Sequence, residues 1–362
     1  MIAVLLLAVL AIPLLVSGQT PESHAVPSLE VDFAADGGTP ISFPSVVMAQ
    51  LPVCYSSKSC SALLSVEPHT MARLVAAHFD LSGQDRSVDP SAIESLSYLQ
   101  ATSSSPTEHG LIVVVHGAAS DTALGARLVP KAGSEPDHSN LKQGYYLCLF
   151  DDDGKPQGVH LLDSRFRTPR AAYLGSDQIL LLGFDNRNEK PALAVLDRSG
   201  NIVQFLDDQG SLPGGDELLK RSGVKIDDAA PQFAKQIFMA QEVTSWKFGY
   251  AGNRLLLLQP GTQAVVWSIS PGGEIRKVKL RMPPGTTAST VVSSDHSWLI
   301  RSFVATDPDA GLLFEFDPET GEALRRIDTK LVPPTSVFYE AGGIYYALWW
   351  DKNHQSFILK SK

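Results

Sequence analysis

The chain is 362 residues long, 44% hydrophobic and 19% charged, with a formal net charge of −9 and a sequence pI near 5.5. That length holds one large all-β domain or two ordinary domains. An acidic chain without a basic run disfavours nucleic acid and anionic membrane as partners.

The chain begins MIAVLLLAVLAIPLLVSGQTPE. Its apolar run, Ile2 to Val16, is about 15 residues, which suits a signal-peptide core better than a roughly 20-residue membrane span. Ser17 and Gly18 supply the small residues a signal peptidase needs, although no Lys or Arg precedes the run. Residues 1–18 are therefore expected to be a signal peptide, 19–28 a disordered mature N-terminus, and 29–362 one folded domain. The protein is expected to be secreted or periplasmic, with no membrane insertion after cleavage. An exported chain permits a disulfide, and the short spacing of Cys54 and Cys60 suits a bridge across one hairpin. Cys148 lies in the apolar run YYLCLF and is expected to be a buried free thiol. Without a C-x-x-C pair a structural zinc site is not expected, nor is any cofactor.

From residue 75 onward a short unit recurs: an apolar strand, an aspartate or polar turn with glycine, then another strand. It is visible in VAAHFDLSGQDRSVD, YLCLFDDDGKPQGVHLLD, LAVLDRSGNIVQFLD, VVWSISPGGEIRKVKL and LLFEFDPETGEALRRID. Asp accepts backbone hydrogen bonds in such turns, and Gly takes the positive φ that a tight hairpin demands. The interval from Gly154 to Gly200 is 46 residues and that from Gly273 to Gly321 is 48. A period in the forties with four strands per unit is the signature of a β-propeller. Ahead of each hairpin comes a second strand pair, as in AAYLGSDQILLLGFD and KFGYAGNRLLLLQP, and VCYSSKSCSALLSV fits the same template. Helical periodicity is confined to GDELLKRSG and DAAPQFAKQIFMAQ.

Counting second strands predicts six units in one all-β domain, the last with three strands before Lys362. LEVDF or TPISFPSVV could supply the missing outer strand and close the ring. An open β-sandwich is the competing architecture. The hairpins FDDDGKPQ, LDRSGNIV, ISPGGEIR and FDPETGEAL carry a family likeness: the chain resembles the six-bladed NHL/YVTN-like β-propellers of exported bacterial proteins. That resemblance spans almost the whole mature chain and implies a fold and little else. No Trp-Asp pair recurs from unit to unit, as it does in WD40 repeats.

In such a ring the two long insertions, 116–144 and 207–242, fall on one face, opposite the aspartate–glycine hairpins. Loops of that length in a compact domain are usually functional or disordered and not neutral spacers, and this face is expected to meet a ligand. Its candidates are Arg165, Arg167 and Arg170 in DSRFRTPR, Arg127 in the first insertion, and His116 and Asp185 at second-strand ends. Arg offers a planar donor fork to carboxylate, sulfate or phosphate, but inter-blade salt bridges are the simpler use for these charges. The sequence DDDG lacks the alternating ligands of a calcium loop and reads as turn chemistry.

The string GLIVVVHGAASD resembles the approach to a hydrolase oxyanion hole, but no G-x-S-x-G elbow accompanies it. Nor do strands alternate with helices, as that fold requires. The expected role is a monomeric binding or scaffold module for a protein, peptide, glycan or envelope partner. The alternative is a propeller hydrolase or lyase working at the mouth of the central channel.

Overall fold

The computed structural model describes residues 26–33, 38–42, 46–49, 52–66, 73–81, 85–88, 96–120, 141–206, 212–224, 231–304, 307–330, 332–333, 336–354 and 356–362. The expected signal peptide and Arg127 lie outside them.

The molecule is all-β, a succession of antiparallel meanders of the kind that make up a β-propeller. Two strands, β1 (Ser28–Asp32) and β2 (Thr39–Ser42), precede the first unit. That unit contains β3 (Val46–Ala49), β4 (Val53–Ser56), β5 (Ser59–Val66), β6 (Arg73–Phe79) and β7 (Asp85–Val88). The second is β8 (Leu96–Thr107), β9 (Gly110–Ser120), β10 (Leu141–Phe150) and β11 (Pro156–Leu161). The third is β12 (Arg167–Gly175), β13 (Gln178–Asp185), β14 (Lys190–Leu196) and β15 (Ile202–Phe205). After helices α1 (Gly215–Ser222) and α2 (Gln232–Ser245) come β16 (Lys247–Ala251), β17 (Arg254–Gln259), β18 (Val265–Ile269) and β19 (Ile275–Lys279). The chain continues with β20 (Thr286–Ser294), β21 (Trp298–Val304), β22 (Asp307–Phe316) and β23 (Ala323–Lys330). It ends with β24 (Val337–Ala341), β25 (Ile344–Asp351) and β26 (Ser356–Ser361).

Burial explains the sequence pattern. Middle strands are covered on both faces by neighbouring sheets, so β13, β14, β17 and β18 are buried almost throughout and read as unbroken apolar runs. Fourth strands such as β11, β15 and β23 are covered less, with at most one buried position each. The β10–β11, β14–β15, β18–β19 and β22–β23 hairpins each close on a glycine, three residues after the first turn residue in the first three and four in the last. Asp151 Oδ1 accepts from the amides of Asp153 at 3.0 Å and Lys155 at 2.9 Å. Asp197 and Asp317 do the same for Asn201 and Thr320, at 2.9 and 2.7 Å. Gly154, Gly200, Gly273 and Gly321 take φ of 74°, 75°, 78° and 70°, the left-handed conformation these turns need.

Both N-terminal strands are used. β2 pairs antiparallel with β26, Ile41 opposite Phe357, as the fourth strand of the final sheet. β1 runs parallel to β23, so Ser28, the last position of the segment expected to be disordered, lies in a strand.

Both insertions differ from their expected extents. Strand pairing continues past His116, through Gly117 opposite Gly144, to Ser120 opposite Leu141. His116 therefore sits within a strand instead of opening a loop, and residues 121–140 lie outside the described residues. In the second, α1 and α2 pack on the third unit through Leu218, Met239 and Val243, which are buried in a core shared with Phe184, Trp246 and Trp267. Residues 215–222 and 232–242 of it are docked helix. Cys54 and Cys60 form a disulfide across the β4–β5 hairpin. Burial pushes the Cys148 thiol up to about 12.

Ile41 is 1% exposed among Tyr339, Leu348 and Phe357. Ile41→Ala is expected to cost about 2–5 kcal/mol in urea unfolding. A change within about 0.5 kcal/mol would mean that β2 does not dock on β26. Thiol labelling without reductant should find no reactive cysteine in native protein and Cys148 alone after denaturation.

Candidate binding site

Arg165 and Asp185 form one structural unit. The Asp185 carboxylate is buried and accepts from Arg165 Nε at 2.9 Å, the Arg187 amide at 2.8 Å and Asn188 Nδ2 at 2.7 Å. Burial alone would raise its pKa, but the hydrogen bonds from Asn188, Arg187 and Arg165 outweigh it and hold the carboxyl below its ordinary range. The Arg165 guanidinium also lies 4.3 Å over the Phe205 ring. This pair locks the crossing from the second unit against the β13–β14 turn.

Arg170 has a different use from the expected one. Its Nη1 donates to the Trp246 carbonyl at 2.7 Å and its Nη2 to the Val243 carbonyl at 2.9 Å, at the end of α2. A cation at a helix C-terminus satisfies orphan carbonyls and the local dipole, so Arg170 is a helix cap and not a free anion receptor. Burial lowers its pKa to about 10. The same helix is tied to the β13–β14 turn by Gln236 Nε2, which donates to the Asn186 carbonyl at 3.0 Å.

His116 and Arg167 are brought together around one cleft of about 890 Å³ along the seam between the second and third units. The His116 and Tyr145 rings lie 4.8 Å apart on one wall. Arg167, Asp163 and Asn201 supply polar groups, and Phe166, Leu181 and Leu196 line the apolar base. Arg167 is exposed, and its guanidinium has no hydrogen bond or ion pair among the described residues. It alone of the three expected crossing arginines remains open to a ligand.

A smaller cavity, of about 240 Å³, lies toward the hairpin face between the same two units. The β8–β9 turn contributes Glu108 and His109, the β12–β13 turn Ser176 and Asp177, and the β14–β15 turn Arg198. Leu111, Ile112, Leu149, Phe150 and Ile179 form the apolar floor, with Tyr173 beside them. Ser176 and Asp177 have φ of 50° and 63°. L-residues in that region cost roughly 1–2 kcal/mol each, and such conformations cluster at binding sites. In the sequence each of these five turn residues reads as part of an ordinary hairpin; only the fold brings the three turns to one rim.

Tyr173 belongs to a cluster built by first strands. Tyr55 meets the rings of Tyr173 and Tyr250 edge-on, each at 5.0 Å. Tyr250 Oη donates to the Tyr173 carbonyl at 3.0 Å. Nearby, Ser59 Oγ lies 2.9 Å from His78 Nε2, the spacing of a nucleophile and its base. However, Ser59 donates its proton to the Thr107 carbonyl at 2.5 Å and is 3% exposed. The Ser59–Thr107 bond links two sheets and leaves the hydroxyl unactivated.

Replacing Arg170 by Met leaves two helix carbonyls unpaired and is expected to cost about 1.5–3 kcal/mol. Amide exchange in the last turn of α2 should accelerate, and unchanged exchange would reject the capping role. The Asp185 carboxyl ionises below its ordinary value of 3.8, so its stabilising effect is full above that value and is lost as pH falls through the lower folded value. Asp185→Asn should destabilise the protein at neutral pH and flatten the acid limb below about pH 4. An unchanged acid limb would count against the network.

No family model matches the chain, and no curated protein matches it. Among solved structures, a subtype N10 neuraminidase-like protein of A/little yellow-shouldered bat/Guatemala/060/2010 is similar at 8% identity and TM-score 0.41, covering 91% of this chain and 98% of its own. A protein of unknown function from Dyadobacter fermentans is similar at 12% identity and TM-score 0.39, covering 89% and 96%. The β-propeller domain of the Trilobed protease from Pyrococcus furiosus is similar at 8% identity and TM-score 0.38, covering 86% and 79%. Likenesses this distant carry no argument about activity or partners.

Proposed function

We propose that this chain is an exported, monomeric, six-bladed β-propeller of the NHL/YVTN-like kind, closed by β2, that recognises an acidic group on a peptide or glycan partner. The pairing of β2 with β26 supports the closure, since it gives the last three-strand sheet a fourth strand. The recurring aspartate-capped turns support the family reading. The Cys54–Cys60 disulfide is compatible with an oxidising compartment, and no helix among the described residues is long and apolar enough to cross a membrane.

The observation that carries the recognition role is the unpaired Arg167 in the cleft beside the His116–Tyr145 ring pair. An aromatic wall with a free guanidinium holds the flat face of a sugar or peptide group while the fork receives a carboxylate or sulfate. The Arg165–Asp185 pair and the Arg170 cap fix the chain on both sides of Arg167, so the site is held by structure that is already satisfied.

Peptide and glycan arrays probed with the full chain should return acidic ligands. Arg167→Ala is expected to weaken them by about 5–10-fold, and the wild-type advantage should shrink as salt rises. Arg276→Ala, which removes an ion pair with Glu319, should bind as wild type. Binding indifferent to Arg167, or confined to uncharged ligands, would contradict the proposal.

A further inference from the structure

We propose that the 240 Å³ cavity between the β8–β9, β12–β13 and β14–β15 turns is a second binding site, for a small ligand with an ammonium head and an apolar body. It opens toward the hairpin face, and its rim and floor residues are different from those of the Arg167 cleft.

The floor sets the body of the ligand. Leu111, Ile112, Leu149, Phe150 and Ile179 present hydrocarbon, and Tyr173 adds an aromatic wall. Apolar cavities with a few convergent polar groups are the usual form of small-molecule sites. This one falls below the roughly 300–1,000 Å³ of drug-sized pockets, so its occupant has the size of a single side chain.

The rim sets the head. Glu108 is exposed, and its carboxylate has no hydrogen bond or ion pair among the described residues. Arg198 is the fixed cation of the rim, but it is neutralised by Asp177 at 3.4 Å. His109 stands 4.0 Å from Asp152. The uncompensated charge is therefore negative. It reaches the wall: burial first, and then the charges of Glu108 and Asp177, keep the Tyr173 hydroxyl protonated above its ordinary range. A carboxylate beside a neutral tyrosine ring attracts an ammonium by charge and by its interaction with the ring face.

Backbone strain points to the same place. Among the described residues, four non-glycine positions have positive φ: Thr168, Ser176, Asp177 and Glu189. Two of the four form the rim turn of this cavity. The equivalent β16–β17 and β24–β25 turns use Gly252 and Gly342 at φ 58°, the inexpensive choice. The third unit instead holds two side chains in the left-handed region and places both at the cavity mouth.

The test uses the full chain with phenethylamine, 2-phenylethanol and phenylacetate, followed by calorimetry or ligand-observed NMR. Phenethylamine should bind saturably, about tenfold more tightly than the alcohol, with the acid weaker still. Glu108→Gln should cut amine affinity about 5–10-fold, remove its salt dependence and leave the alcohol unchanged. Leu149→Trp should fill the floor and abolish binding of all three probes. Arg167→Ala should change none of them, which separates this site from the acidic-ligand cleft. The peptide Phe-Gly-Gly and its N-acetylated form identify the source of the ammonium. Binding of the free peptide, lost on acetylation, assigns peptide N-termini; binding of phenethylamine alone assigns free amines, and both support the site. Equal affinity for amine and alcohol, indifference to Glu108→Gln, or no saturation at millimolar probe would overturn it.

Discussion

Along most of its length the innermost strand of a sheet has a strand partner on one side, and its other edge must find hydrogen bonds elsewhere. A row of unpaired N–H and C=O groups is costly when buried and invites aggregation when exposed. Here hydroxyl side chains of neighbouring first strands meet those edges. Ser103 and Ser105 on β8 accept from the amides of Ala171 and Tyr173 on β12, at 3.2 and 3.1 Å, and Thr102 donates to the Pro169 carbonyl at 3.1 Å. Ser293 on β20 accepts from the Tyr250 amide on β16 at 3.1 Å. Where strands approach still closer, backbone bridges replace side chains, as between Ala251 and Ser294 and between Ser293 and Tyr339. A Cβ on Gly249 would fall 2.4 Å from Val291 Cγ1, so glycine is what permits that approach.

This edge bonding determines where ligands can go. The second and third units are stitched together at their first strands, while their outer strands diverge. The large cleft runs along that outer seam, and the small cavity opens where the turns of the same two sheets part. Charges near the cleft divide by role in consequence. Arg165, Asp185 and Arg170 hold the crossing and α2 in position, and Arg167 between them is left open.

Much of this architecture was legible in the sequence because turn chemistry is local. An aspartate and a glycine at fixed offsets specify a hairpin whatever lies around it, so the turns at Gly154, Gly200, Gly273 and Gly321 could be read directly. Middle strands were legible for the opposite reason: burial on both faces leaves an unbroken apolar run. First strands were legible in part, as in AAYLG and KFGYA. LSYLQATSSSPT and TTASTVVSS are rich in Ser and Thr because they bond to neighbouring backbone, which blurs the alternation of a half-buried strand. The helix in the second insertion was legible, but its end was not. It starts after Pro231, whose fixed φ suits a helix start, and it runs to Ser245, where its last carbonyls meet Arg170. Nothing local in DSRFRTPR marks Arg170 as a cap, since its partners are 73 and 76 residues away. The same distance in sequence hid the small cavity, whose rim is shared among three separate turns.

The central claim is that hydroxyl-to-backbone bonds between first strands hold the second and third units in register and so shape both binding sites. Residue-resolved amide hydrogen exchange at Ala171 and Tyr173 tests it most directly, in wild type and in a Ser103→Ala/Ser105→Ala variant. Both amides in wild type should show protection close to that of β13 and β14. In the variant that protection should fall selectively, with β13 and β14 still protected. Rapid exchange at Ala171 and Tyr173 in wild type, or protection indifferent to loss of the two hydroxyls, would contradict it.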